Sequence, residues 1–284
     1  MSRRILSLCM LAIASNASAQ TAVPCVQRGV ESDAPVFCGA ASQGGLIWAD
    51  ANGFDVYNGD SMVSRNGKVI VPIDRDARDT LQLKFCMDGN CGTFSYPVKQ
   101  RKYPQQKLAV PPKFVEYDAE TKRRIDRESA EITAARIRAV SDTALFFTEL
   151  KLPKNLAAFK QTSVFGAARV YNNKTTGWHG GLDFGTPIGT AVYPLAAGKI
   201  ILTGSHYLNG NIIIVSHGYG ITSAYLHLNK ILVGVGDKIT ADTKIAESGN
   251  TGRGTGAHLH VQLDAMDGNN KNMHIDPDLF IKAK

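Results

Sequence analysis

The chain has 284 residues, 44% of them hydrophobic, and a formal charge of +7. That length allows more than one buried core, and the absence of a long low-complexity span argues against a disordered chain. The mild basic excess suits an anionic wall or membrane surface. With no basic–aromatic motif and no dense Lys/Arg stripe, it makes no case for nucleic acid as a partner.

Residues 1–19 read as a secretory signal peptide. Arg3 and Arg4 precede an apolar stretch from Ile5 to Ile13, and Ala17-Ser18-Ala19 forms the cleavage site. The apolar run falls short of the ~18 residues a membrane span needs. Cys9 sits inside that run and not at the cleavage point, which argues against a lipoprotein. The protein is therefore expected to be exported, to a periplasm or beyond the cell, with no stable membrane span. Losing Arg3 and Arg4 would lower the charge by two, to +5.

Residues 20–105 read as short strands with polar turns. Leu46-Ile47-Trp48, Lys68–Val71 and Leu81–Phe85 are strand-like, and Asn66-Gly67 and Asp88-Gly89 are turn signals. A small β-sandwich is expected. It holds four cysteines, Cys25, Cys38, Cys86 and Cys91, and an even number in an exported chain points to disulfides. Three pairings exist; Cys25–Cys38 with Cys86–Cys91 is favoured because each closes a short local loop. The alternatives are free thiols or a four-cysteine zinc site, although the paired C-x2-C spacing of structural zinc is missing.

Residues 106–160 read as a Pro-rich and helical linker. Pro104, Pro111 and Pro112 interrupt regular structure. Asp118 to Val140 follows as a solvated helix, with Ile125, Ile132, Ile137 and Val140 forming a narrow apolar stripe. Lys122-Arg123-Arg124 belongs to its solvated face.

From residue 161 to 284 short apolar runs recur between glycine turns. Lys199–Leu202, Asn211–Val215, Ile221–Leu228 and Leu259–Leu263 are of strand length and rich in β-branched residues. The fold class is mainly β, with a compact antiparallel C-terminal domain that carries all seven histidines.

Within it, His179-Gly-Gly-Leu-Asp183 puts an imidazole and a carboxylate on one face of an extended segment. The two glycines let the backbone pass close to a metal or substrate. In Ala257-His-Leu-His-Val-Gln-Leu263, period two sends Leu259, Val261 and Leu263 to a core and His258, His260 and Gln262 to the opposite face. Two same-face imidazoles gain nothing structurally, so a shared metal or substrate is expected. In Ala224–Leu228 the same alternation places Tyr225 and His227 on one side and Leu226 and Leu228 on the other. Two imidazoles and a carboxylate suit zinc, with a fourth position left for water. There is no H-E-x-x-H helix, so proton transfer would fall to a histidine not bound to metal.

At these residues the sequence resembles the lysostaphin/LytM-type zinc endopeptidases, from about Ser163 to Phe280. The likeness rests on His179-Gly-Gly-Leu-Asp183-Phe-Gly-Thr-Pro, Ser216-His-Gly218, Tyr225-Leu-His227-Leu and Gly252-Arg-Gly-Thr-Gly-Ala-His258-Leu-His260 in this order. It implies one zinc ion held by His179, Asp183 and His260. It further implies catalytic roles for His227 and His258, which would orient and deprotonate the attacking water and stabilise the oxyanion. The implied activity is hydrolysis of peptide cross-links in peptidoglycan. A direct cross-link in a periplasm is the favoured target, and a regulatory cell-envelope protein is a conceivable partner. Arg253 is a candidate contact for an acidic stem peptide, and Trp178 and His206-Tyr207-Leu208 sit where selectivity would be set. His217 and His206 read as a structural turn residue and a loop-surface residue, and His274 as part of the closing segment.

Two rival readings are a catalytically inactive LytM-type activator of other wall hydrolases, and a carrier module. The activator would have lost metal ligands, all of which are present here. The carrier reading rests on the hammerhead-like Val233–Ile245, which lacks the pattern around a modifiable lysine.

Overall fold

Short β-branched runs separated by glycine and asparagine turns give a mainly β architecture. In the computed structural model, residues 25–26 and 35–281 are described, without the side chains of 25, 26, 175 and 176. Residues 1–19, where the sequence predicts a leader, lie outside the described residues. Among the described residues there are two α-helices, Ala119–Ala139 and Asp278–Ile281. Neither is long and apolar enough to cross a membrane.

The N-terminal strands form two facing sheets. One has five strands, with Leu46–Asp50 and Lys68–Pro72 at its heart; the other runs Ser61–Met62, Asp55–Asn58, Thr80–Met87, Asn90–Pro97. Ile47, Ala49, Val69 and Val71 of the first meet Val56, Leu83 and Phe85 of the second in one core, the packing of a β-sandwich. The hairpin that joins Thr80–Met87 to Asn90–Pro97 sets Cys86 opposite Cys91, and the two are joined by a disulfide. Asp88 and Gly89 take positive φ in its turn, as an Asp-Gly hairpin requires. Cys25 lies opposite Cys38 in the backbone register, and Cys38 is disulfide-bonded.

The C-terminal half is built on an eight-stranded sheet whose pairings are all antiparallel. At its centre Gly181–Phe184, Leu259–Met266, Ile221–Leu228, Gly210–Gly218 and Gly198–His206 lie side by side in that order. One face carries Leu182, Ile213, Val215, Tyr225, Leu259 and Val261 into the main core. The other face is divided. On one part, Leu202, Ile212, Ile214, Ala224 and Leu226 receive the helix Ala119–Ala139 through Ala135 and Ile132. The remainder is left to polar side chains.

That helix starts where Asp118 accepts a hydrogen bond from the Thr121 amide at 2.7 Å, an N-cap. Its packed side is not the stripe expected from the isoleucines. Ala135, Arg136 and Ala139 are buried, whereas Ile137 is 42% exposed. Five residues at about 100° each rotate Ile137 roughly 140° away from Ile132, so the small alanines and an arginine make the contact instead. The segment before the helix is also tied in: Gln105–Leu108 pairs in parallel with Ala168–Tyr171. The sandwich joins the C-terminal sheet through Leu46 and Ile70, which pack on Phe147, Leu263, Ile275 and Phe280. An Arg101–Asp276 ion pair at 2.5 Å seals that junction.

Candidate metal centre

Strand pairing brings the first two groups together. Asp183 stands directly opposite His260 across the Gly181–Phe184 and Leu259–Met266 strands, so their side chains share a face. His179 follows the strand Lys174–Trp178, which belongs to a separate three-stranded sheet. The result is a tight triad. His179 Nε2 lies 3.0 Å from Asp183 Oδ1 and 2.9 Å from His260 Nδ1, and His260 Nδ1 lies 2.9 Å from Asp183 Oδ1. All three residues are buried.

The outer atoms of the triad decide what the inner atoms offer. His179 Nδ1 faces the Val164 carbonyl at 2.9 Å, which can only accept, so the ring proton is there and Nε2 presents a lone pair. Burial pushes the His179 pKa down to about 4, which keeps the ring neutral. His260 Nε2 faces the Gln262 Oε1 at 3.3 Å, which leaves Nδ1 inward. Burial raises the Asp183 carboxyl, yet its pKa is held well below the usual carboxylate range. Arg169 donates to Asp183 Oδ2 at 2.9 Å and to Ser163 Oγ at 3.0 Å. Three electron-pair donors therefore point at one another. A proton on His260 Nδ1 can serve one of its two neighbours; a cation at the centre serves all three. The donor set of two imidazoles and a carboxylate fits zinc.

His227 arrives by a different route from the one the alternation predicts. Between Ile213–Tyr225 and Asn211–Leu228 the partner strand advances two residues and this strand three, so the pairing contains a bulge. His227 takes φ 63° there. The extra residue breaks the period of two. Tyr225 and Leu228 both enter the main core, while Leu226 and His227 line the cleft. Tyr225 and His227 thus do not share a face. The His227 ring donates from Nδ1 to the Thr251 carbonyl at 2.8 Å. Burial lowers its pKa to about 3, so it too is neutral.

His258 lies just before the central strand, on the same face as His260 as the alternation predicts. Its Nδ1 donates to the Gly256 carbonyl at 2.7 Å, and its Nε2 stands 3.9 Å from Asp183 Oδ1. The His227 and His258 rings are 4.7 Å apart. Both have their proton spent on a backbone carbonyl, which leaves each Nε2 able to accept another.

The triad and this pair open into a cleft of about 410 Å³. Leu108, Val110, Tyr171, Trp178, Leu208 and Arg253 line its walls. Leu108 and Val110 come from the segment after the sandwich, and Arg75 of the sandwich lies 5.4 Å over the Trp178 ring, a wall of the cleft. The Arg253 guanidinium lies 4.7 Å over the Tyr171 ring and reaches the Tyr117 hydroxyl at 3.5 Å. Tyr207 turns away to stack on Phe114 and Tyr117. His206 is not on the surface. It is 5% exposed, with Nε2 3.3 Å from Glu131 of the helix. His217 is fully buried between the Ala197 carbonyl and Ser223 Oγ, each at 2.8 Å. His274 lines the cleft and stacks edge-on to Trp178.

Sequence patterning missed Ser163, Arg169, Arg136 and Asp264. The one available signal was an arginine and an aspartate at inward positions of alternating strands, Ala168-Arg-Val170 and Leu263-Asp-Ala265.

An antiparallel β domain with a His–Asp–His donor cluster at the floor of a cleft is the class defined by this geometry. Residues 177–277 match peptidase family M23. The chain therefore carries an M23 peptidase domain, homologous to the lysostaphin and LytM-type peptidoglycan endopeptidases. A Pseudomonas aeruginosa structure assigned to peptidase M23 is 26% identical, with a TM-score of 0.57 over 86% of this chain and 96% of that one. The peptidoglycan DD-endopeptidase ShyA of Vibrio cholerae is 47% identical over 85 residues, 30% of this chain and 20% of that protein. Lysostaphin of Staphylococcus simulans is 39% identical over 109 residues, 38% of this chain and 22% of that protein. The chain thus spans about a fifth of the length of these two relatives.

Proposed function

We propose that the protein is an exported, periplasmic zinc endopeptidase that hydrolyses peptide cross-links of peptidoglycan. The observation that carries this reading is the convergence of His179 Nε2, Asp183 Oδ1 and His260 Nδ1, within 3.0 Å of one another, at the base of an open cleft. An activator that worked without metal would gain nothing from burying that arrangement. A zinc ion held there would supply Lewis acidity, polarising a scissile carbonyl and making water acidic enough to act near neutral pH.

The chain's own residues do the remainder. His227 and His258 each begin with Nδ1–H fixed on a backbone carbonyl and Nε2 bare. Either Nε2 takes the proton of the attacking water. The resulting imidazolium then donates to the developing oxyanion and returns the proton to the leaving amine. Arg169 keeps Asp183 charged and oriented. Arg253 has no carboxylate partner among the described residues, and its guanidinium is available to a carboxylate on the stem peptide. Together with the higher identity to a DD-endopeptidase than to lysostaphin, this favours a direct cross-link over a glycine bridge.

The roles separate by substitution. His260→Ala is expected to lose zinc; His258→Ala is expected to keep zinc and lose turnover on purified sacculi. Two variants that both keep metal and both stay active would overturn the assignment.

A further inference from the structure

A hydrogen-bond chain runs from His260 through Gln262 and Asp264 to Arg136 of the helix Ala119–Ala139. Beyond His260, the same face of the central strand carries Gln262 and Asp264. Gln262 Nε2 donates to both Asp264 oxygens, at 2.9 and 2.8 Å. Asp264 is fully buried. It also receives Arg136 of the helix at 2.5 Å on Oδ2, and His274 at 2.5 Å and Asn272 at 3.0 Å on Oδ1. Burial raises the Asp264 carboxyl, yet the charges of Arg136 and His274 bring its pKa to about 2. It is thus a carboxylate that only accepts.

An amide has two unlike ends, and this carboxylate fixes which end faces which neighbour. A reversed Gln262 would set its oxygen against the Asp264 oxygens at under 3 Å. The amide oxygen must then face His260, where it lies 3.3 Å from Nε2. An acceptor at that place requires the His260 proton on Nε2 and leaves Nδ1 bare toward Asp183 and His179. Were the amide to turn, its NH2 would demand the Nε2 lone pair, the proton would move to Nδ1, and the metal position would be blocked.

We propose that Gln262 is the positioning residue that locks His260 in its metal-binding tautomer, and that Asp264 and Arg136 act through it. The proposal rests on the zinc reading above. It also makes Arg136, a residue outside the 177–277 family match, part of the metal site's support. Outer-shell partners of histidine ligands commonly contribute 10–100-fold to metal affinity.

Two measurements test it. The first is 15N NMR of the histidine rings in the metal-free wild-type protein, where the expected signature for His260 is a protonated Nε2 and a bare Nδ1. A His260 protonated at Nδ1 overturns the proposal, with no variant needed. The second is zinc affinity by chelator competition, with thermal melting as the control for folding. Gln262→Met, similar in volume but without the acceptor, is expected to weaken zinc binding about 10–100-fold and to give mixed His260 tautomers. Arg136→Met is expected to weaken it too, and Arg136→Lys, which keeps the charge on Asp264, to recover most of the loss. Affinity within twofold of wild type in folded Gln262→Met overturns the lock. A wild-type protein that binds no zinc sinks the reading beneath it, while the ring NMR still judges the tautomer.

Discussion

Gly181 gives the sharpest link between packing and the metal centre. It sits opposite Gln262 in the strand pairing. A Cβ built there would lie 2.3 Å from the Val261 carbonyl oxygen, and 2.9 and 3.0 Å from Nε2 and Cε1 of the His260 ring. The first contact is with backbone in the middle of a sheet and cannot be relieved by a rotamer. The strand or the imidazole must move by about an ångström. Overpacking of this kind costs about 1–3 kcal/mol, and at roughly 2–4 °C per kcal/mol the melting temperature of Gly181→Ala should fall by about 2–12 °C. Displacing His260 should also weaken zinc binding by about tenfold or more, the lower bound of losing an outer-shell contact. Gly234→Ala is the control: a Cβ there would have one neighbour within 4 Å, Asp237 Oδ2 at 3.9 Å, and both readouts should stay close to wild type. Differential scanning calorimetry and zinc titration on the two variants decide the matter. A Gly181→Ala protein that melts and binds zinc like wild type would refute the close-approach argument.

Two further outcomes follow from buried and cleft-lining groups. His217 is neutral inside the fold, its pKa lowered to about 4 by burial, against ~6.5 in the unfolded chain. The unfolded state therefore binds the extra proton first, and the stability this group contributes is complete above pH 6.5 and declines as pH falls toward 4. Between pH 7 and pH 5 that is about 2 kcal/mol; His217→Gln should shrink the measured difference in unfolding free energy by about that amount, and an unchanged difference would contradict it. Arg253→Ala should raise KM for a stem peptide with a free carboxylate by about tenfold, the size of one charged hydrogen bond, with little change in kcat. The same variant should treat the amidated peptide as wild type does; equal losses on both peptides would rule out carboxylate recognition.

What the sequence made legible was local and periodic. Leu259, Val261 and Leu263 alternate with His258, His260 and Gln262, and a single strand suffices to put the two sets on opposite faces. The Cys86–Cys91 bridge closes one hairpin, so spacing alone predicted it. His227 was assigned to the wrong side because a bulge is a property of two strands. Nothing in Ala224–Leu228 records that Asn211–Ile213 is one residue shorter. Arg136 reads as a solvated helix charge because its partner, Asp264, lies 128 residues away. His206 was missed for the same reason: Glu131 and the helix that cover it belong to a stretch that looks like a linker. Gln105–Leu108 has no apolar alternation of its own, and it becomes a strand only because Ala168–Tyr171 offers an edge.

The central claim is a zinc-dependent peptidase, and one measurement addresses it directly. The purified protein is assayed for bound metal and then incubated with purified sacculi, alone, with a chelator, and with chelator followed by added zinc, and the released fragments are identified by mass spectrometry. The account predicts one zinc per chain and release of uncross-linked muropeptides that the chelator stops and zinc restores. Release that persists in the chelator, or a metal-free protein that releases nothing under any of the three conditions, would contradict it.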